Sequence, residues 1–146
     1  MPNAMLDTKK LITRIQSLRG NLAQIRAVVD VHDDATILND WRLLGALKWH
    51  LLLAIEDAFS LCQQVVASIG GAAPSSYAEC FEILHQQGAI EQSLSERLRA
   101  MARFRNLLLH RYWEVDDQRV LAIARHDLGD LELLIGALNA RFGLGI

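Results

Sequence analysis

The sequence predicts an all-α protein, an antiparallel bundle of about five helices with short connections. Three observations carry that expectation. Apolar residues recur every three or four positions through long stretches of the 146-residue chain, the period of a helix with one face turned inward. No segment alternates apolar and polar residues for long enough to form a strand. Only two prolines and nine glycines interrupt the chain, so the regular elements are long. With 51% hydrophobic and 22% charged residues, the composition is that of a folded protein rather than a disordered one. Residues 1–146 are expected to form one domain, large enough to build a core without staples.

Each element follows from its own pattern. Leu11, Ile15, Leu18, Leu22, Ile25 and Val29 form a narrow seam on a first helix, and Asp30, Asp33 and Asp34 mark its end. A second helix runs from about Asp40 to Ile69. Leu44, Leu47, Leu51, Ala54, Ala58, Leu61, Val65 and Ile69 line one face, and Trp49, Leu52, Leu53 and Phe59 widen it. So wide an apolar arc is covered on two sides, either by helices of the same chain or by a partner subunit; both readings stay open. Gly70-Gly71-Ala72-Ala73-Pro74 breaks the chain. Ser76 and Glu79 form a capping box for a short third helix with Tyr77, Cys80, Phe81 and Leu84 inward, stopping at Gly88. Ser93 and Glu96 form a second box, opening a fourth helix that ends near Leu109 or His110. Tyr112 to Asp116 connect to a fifth helix, capped by Asp116 or Asp117, whose stripe is Val120, Ala124, Leu128, Leu131, Ile135, Leu138 and Phe142.

Several functional classes are excluded or disfavoured. A net charge of −2 is not that of a globally basic nucleic-acid binder. The richest apolar region, Leu43 to Phe59, is cut by Lys48, His50, Glu56 and Asp57, so no stretch is expected to span a bilayer and no membrane partner is expected. Met1 to Met5 lack a basic and apolar leader; they are expected to be disordered or extraneous to the fold, and the cytoplasm is the default location. Cys62 and Cys80 lack metal-site spacing and are expected as small core residues. His32, His50, His85 and His126 share no ligand spacing, and Gly70-Gly71 does not lead into a phosphate loop. No metal and no cofactor are expected.

The anomaly lies in the fourth helix. Its inward stripe is Leu94, Leu98, Met101, position 105, Leu108 and position 112, and position 105 is Arg105. A guanidinium on an apolar face must find an anion, because an unpaired buried charge costs several kcal/mol. That anion is either an internal carboxylate, Glu56 or Asp57, or a bound ligand such as phosphate. His110 lies about 140° around an ideal helix from Arg105. Either the helix ends there and the chain turns, or two subunits bring these groups together.

The run Arg105-Asn106-Leu107-Leu108-Leu109-His110-Arg111-Tyr112 resembles the motif of the HEPN superfamily, and more narrowly the Arg-x4-His-x-Tyr pattern of HepT-type toxins. The segments Ala54–Ala58, Pro74–Tyr77, Arg97–Phe104 and Tyr112–Asp116 look like that family too, and the likeness spans roughly residues 35–138. The resemblance implies a HEPN-like, homodimer-forming helical fold. It also implies a metal-independent endoribonuclease, in which the ribose 2′-hydroxyl attacks the phosphate and a cyclic phosphate results. His110 would be the catalytic acid–base group and Arg105 would hold the phosphate. Asn106 would be an auxiliary contact, and Glu56 could orient Arg105. It further implies a toxin neutralised by a minimal nucleotidyltransferase antitoxin that adenylylates Tyr112; on the residues alone, Tyr112 reads first as an ordinary aromatic contact below the helix end, beside Trp113.

Arg97, Arg99, Arg103, Arg105 and Arg111 cluster between Glu91 and Tyr112, a local basic patch on a mildly acidic chain. Arg103 and Arg111 are the RNA-binding candidates within it, although a solvated helix face carries such arginines as well. A second function stays open: a non-catalytic helical partner subunit of a two-component nucleotidyltransferase.

Overall fold

The computed structural model describes residues 6–70 and 73–146. Residues 1–5, expected to lie outside the fold, and Gly71 and Ala72 of the predicted break fall outside the described residues. Seven α-helices and one 3-10 turn are present among the described residues, rather than about five helices.

Helix α1 (Thr8–Val29) starts at Asp7, whose carboxylate accepts from the Lys9 and Lys10 amides, the usual satisfaction of orphan N–H groups at a helix start. All six residues of the predicted seam are buried. A five-residue helix, α2 (Asp34–Leu38), follows where the aspartates were read only as an ending. Asp33 caps it through the Thr36 amide at 2.8 Å, and Ile37 is fully buried. It is too short for a periodic signal.

Helix α3 (Trp41–Ile69) is the longest element and packs against α1, α2 and the later helices. Asp40 caps it, and Gly70 ends it with φ of 83°, a left-handed conformation that suits glycine. By length and composition α3 is apolar enough to cross a membrane, which corrects the expectation that no stretch could. Its apolar face is nevertheless spent on the bundle: Leu47, Leu51, Ala54, Leu61 and Val65 are fully buried. Trp49 remains more exposed than buried.

Helix α4 (Tyr77–Gln86) begins at Ser76, whose hydroxyl accepts from the Glu79 amide at 3.1 Å. Glu79 returns its carboxylate to the Ser75 amide at 2.9 Å rather than to Ser76, so the box forms with its return bond one residue early. Helix α5 (Gln92–His110) starts earlier than predicted. Glu91 occupies the cap position, and Ser93 and Glu96 lie within the first turns, so the second capping box does not form. Ser95 is buried and donates to the Phe81 carbonyl at 3.0 Å, tying α5 to α4.

Cys62 and Cys80 are fully buried, as expected, but they are joined in a disulfide. The packing of α3 on α4 brings their Cα atoms to 6.1 Å, inside the range a disulfide spans. Spacing along the chain could not show this.

The predicted fifth helix is two, α6 (Asp117–His126) and α7 (Leu128–Phe142). Arg125 explains the break. It reaches back to Asp34 at 2.5 Å and to the Val29 and His32 carbonyls at 2.6 and 2.8 Å. This anchors the end of α6 at the α1–α2 corner, while α7 packs on α5.

Candidate active site

Arg105 leaves the core stripe half-way. Its Nε donates to Glu56 Oε1 at 2.7 Å and its Nη2 lies 2.6 Å from the same oxygen. Its Nη1 donates to Asn106 Oδ1 at 3.0 Å. A guanidinium has five N–H groups, so two remain, one on each terminal nitrogen. Those two form a fork that matches a pair of phosphate oxygens. The partner left open between Glu56 and Asp57 is Glu56. Asp57 turns instead to α1, where it accepts from Arg14, Ser17 and Asn21.

Glu56 has a second partner. Tyr77 donates its hydroxyl to Glu56 Oε2 at 2.5 Å. Burial, and then the Glu56 carboxylate, push the Tyr77 phenol up to about 12.

His110 is the last residue of α5 and is exposed. Arg111 then leaves helical geometry with φ −140° and ψ 45°, and Tyr112–Glu114 form a 3-10 turn. The predicted stripe therefore stops before position 112. Tyr112 is 67% exposed rather than inward, with Trp113 equally exposed and edge-on at 5.3 Å. Aromatic and β-branched residues after Arg111 favour helix continuation weakly.

His110 lines an open groove of about 590 Å³ with Arg103, Asn106, Leu107, Arg111 and Arg119. Asn106 and His110, four residues apart, share one helix face. Arg105 stands on the Glu56 side, and Asn106 touches both regions through its contact with Arg105. The remaining arginines divide. Arg97 pairs with Asp130 at 2.8 Å and Arg99 with Glu82 at 2.9 Å, so these two serve the bundle. Arg111 pairs with Glu114. Arg103 and Arg119 make no ion pair among the described residues.

The chain that carries this arrangement has counterparts among known proteins. The profile of HepT-like ribonucleases matches residues 18–138. An mRNA nuclease, HepT, of Shewanella oneidensis is 30% identical over 138 residues, covering 94% of this chain and 95% of that one. The chain belongs to the HepT-like ribonuclease family. A putative RNase of Archaeoglobus fulgidus is 35% identical over 79 residues, 54% of this chain and 59% of that one. A solved HEPN toxin of Shewanella oneidensis, tri-AMPylated and in complex with its MNT antitoxin, superposes with a TM-score of 0.83 at 25% identity, covering 89% of this chain and 96% of that one.

Two residues of this candidate site carry no signal in the sequence. Arg119 comes from α6 and has no motif; only its position three residues after the Asp116 cap sets it on the groove. Tyr77 looked like one more inward aromatic, and its hydroxyl partner is visible only once α3 and α4 are packed.

Proposed function

We propose that the protein is the ribonuclease toxin of a toxin–antitoxin pair, acting on RNA in the cytoplasm as a homodimer and neutralised by a minimal nucleotidyltransferase that modifies Tyr112. The observation that carries this reading is Arg105: a guanidinium fixed by Glu56 and Asn106 with two N–H groups left for a phosphate.

The chemistry follows from the groups. The ribose 2′-oxygen attacks phosphorus, its proton passing to His110 or to the second His110 of a dimer. The bond to the 5′-oxygen breaks, and that oxygen takes a proton from an imidazolium. The products are a 2′,3′-cyclic phosphate and a 5′-hydroxyl. Imidazole suits both transfers near neutral pH. Arg105 stabilises charge that develops on the phosphoryl oxygens. Arg105 and His110 face different ways around one helix, so two motifs in one cleft give each reaction a full set of groups. Arg103, Arg111 and Arg119 in the groove attract the flanking phosphates. Tyr112 offers an exposed hydroxyl beside this groove. Its attack on the α-phosphorus of ATP would release pyrophosphate and leave an anionic adenylyl group competing with RNA for the arginines.

The test expresses the chain alone and compares RNA integrity for wild type, His110→Ala and Arg105→Ala. Each variant should lose at least about a hundredfold in cleavage rate. Equal cleavage by all three would remove the catalytic assignment and favour the non-catalytic partner subunit. Co-expression with the nucleotidyltransferase should add AMP mass to Tyr112, and none to a Tyr112→Phe chain.

A further inference from the structure

Tyr77 is the first residue of α4, directly after the Ser76 cap. Its ring stacks on Phe59 of α3, with centroids 3.6 Å apart and planes within 8°. A face covered at that distance leaves only the opposite face open. There the Arg105 guanidinium carbon lies 4.4 Å from the Tyr77 centroid, in reach of a cation–π attraction. Phe59, Tyr77 and Arg105 thus form a three-layer column drawn from α3, α4 and α5. Tyr77 also acts on Arg105 indirectly, because its hydroxyl donates to Glu56 Oε2 while Glu56 Oε1 takes the arginine.

One carboxylate oxygen and the exposed Asn106 amide hold the edge of the guanidinium but leave its plane free to tilt. A flat ring beneath the guanidinium removes that motion, and a hydroxyl on the other carboxylate oxygen stops the glutamate from swinging. We propose that Tyr77 is a positioning residue for the ribonuclease reaction, fixing the plane of Arg105 with its ring and the rotamer of Glu56 with its hydroxyl. The two free Arg105 N–H groups are then aimed before RNA arrives, the preorganisation that lets fixed donors act on a transition state. This rests on the reading of Arg105 as the phosphate-holding group. The raised phenol of Tyr77 keeps the hydroxyl a donor across the neutral range.

The test separates ring from hydroxyl. Tyr77→Phe keeps the column and loses the bond to Glu56, whereas Tyr77→Leu loses both. On a defined RNA oligonucleotide, kcat per folded molecule should fall about tenfold for Phe and about a hundredfold for Leu, with KM within about twofold of wild type. The folded fraction is measured by circular dichroism, so a purely structural role leaves normalised kcat unchanged. A second readout needs no turnover: the Arg105 Nε–H resonance in 15N spectra, assigned by its loss in Arg105→Lys. It should exchange slowly in wild type, persist in Tyr77→Phe and broaden away in Tyr77→Leu. An absorbance titration should show one tyrosine ionising near pH 12, a step absent from Tyr77→Phe. Wild-type normalised kcat in Tyr77→Leu, or an Arg105 resonance equally protected in that variant, overturns the proposal. If wild type cleaves no RNA, the ribonuclease reading fails, and the Arg105 resonance alone decides whether Tyr77 positions the guanidinium.

Discussion

Glu56 and Asp57 are neighbours on α3, about 100° apart around the helix, and each holds an arginine. Their surroundings are inverted. Asp57 is 5% exposed and its partner Arg14 is 45% exposed. Arg105 is 16% exposed and its partner Glu56 is 35% exposed. In the first pair the buried member is the anion. Arg14, Ser17 and Asn21, all on α1, donate to it, and His50 extends the network by donating to Asn21 Oδ1 at 2.9 Å. That carboxylate is buried and committed to α1. In the second pair the buried member is the cation, and two of its donors are uncommitted. One pair closes α1 onto α3; the other presents an arginine. The difference lies in which partner is desolvated and how many hydrogen-bonding positions remain, rather than in the ion pair itself.

The sharpest way to break this contrast is to remove each carboxylate in turn. Asp57→Ala removes the acceptor that three α1 donors share and strands the buried Asn21, at a cost of about 3–4 kcal/mol in urea unfolding, while cleavage per folded molecule stays near wild type. Glu56→Gln keeps the shape of the second pair and removes its charge. Stability should change by less than about 1 kcal/mol, while kcat falls about tenfold because Arg105 loses its anchor. The opposite outcome, stability lost at Glu56 and activity lost at Asp57, would exchange the two roles.

A somewhat smaller effect is expected from the Cys62–Cys80 disulfide. It ties α3 to α4 one turn beyond Tyr77 and lies on the Glu56 side of the bundle. The two cysteines are separated by 18 residues, and a loop of that length is worth about 3 kcal/mol. Urea unfolding with and without dithiothreitol measures it, with Cys62→Ala/Cys80→Ala as the control that no longer responds. If the contrast between the two faces holds, reduction should raise hydrogen exchange in α4 and leave Asn21 and its α1 neighbours protected.

The sequence carried much of this in its periodicity. The seams of α1 and α3 were readable because every third or fourth residue is apolar for several turns. The division of α6 from α7 was not, because Ala124, Leu128 and Leu131 keep the helical phase across Asp127, and the cause of the bend is Arg125 reaching a corner far away in sequence. Arg105 was legible as an anomaly, a charge on an apolar stripe. Its partner was named, Glu56, but not decided against Asp57, because that choice requires the rotation of α3 relative to α1 and α5, which no spacing encodes. Tyr77 read as core for the same reason, since its column is assembled from three helices. Tyr112 was misread as inward because the stripe was extended past Arg111, where the helix has already ended.

The smallest effect concerns acid. Asp33 is held below the usual carboxylate range by the Thr36 hydroxyl and amide, Asp40 by the Arg42 amide, and Glu79 by the Ser75 hydroxyl and amide. A carboxyl lowered in the fold adds stability that is present above its unfolded value, here 3.8 for the aspartates and 4.5 for Glu79. That stability is lost as pH falls through the lowered folded value. Unfolding stability should therefore be flat from neutral pH to about pH 5 as far as these groups go, and decline below. All three groups are open to solvent, so the decline is shallow. Asp33→Asn/Asp40→Asn should flatten it further without altering cleavage at neutral pH, and adding Glu79→Gln should flatten it again. The three are not equivalent for the contrast drawn above. Glu79 secures the first turn of α4, and that turn carries Tyr77, so acid that releases Glu79 loosens the Arg105 column. Amide exchange in the first turn of α4 should therefore rise below about pH 4.5 while Glu79→Gln shows the same exchange at neutral pH, and an α4 turn indifferent to both would detach the cap from the site.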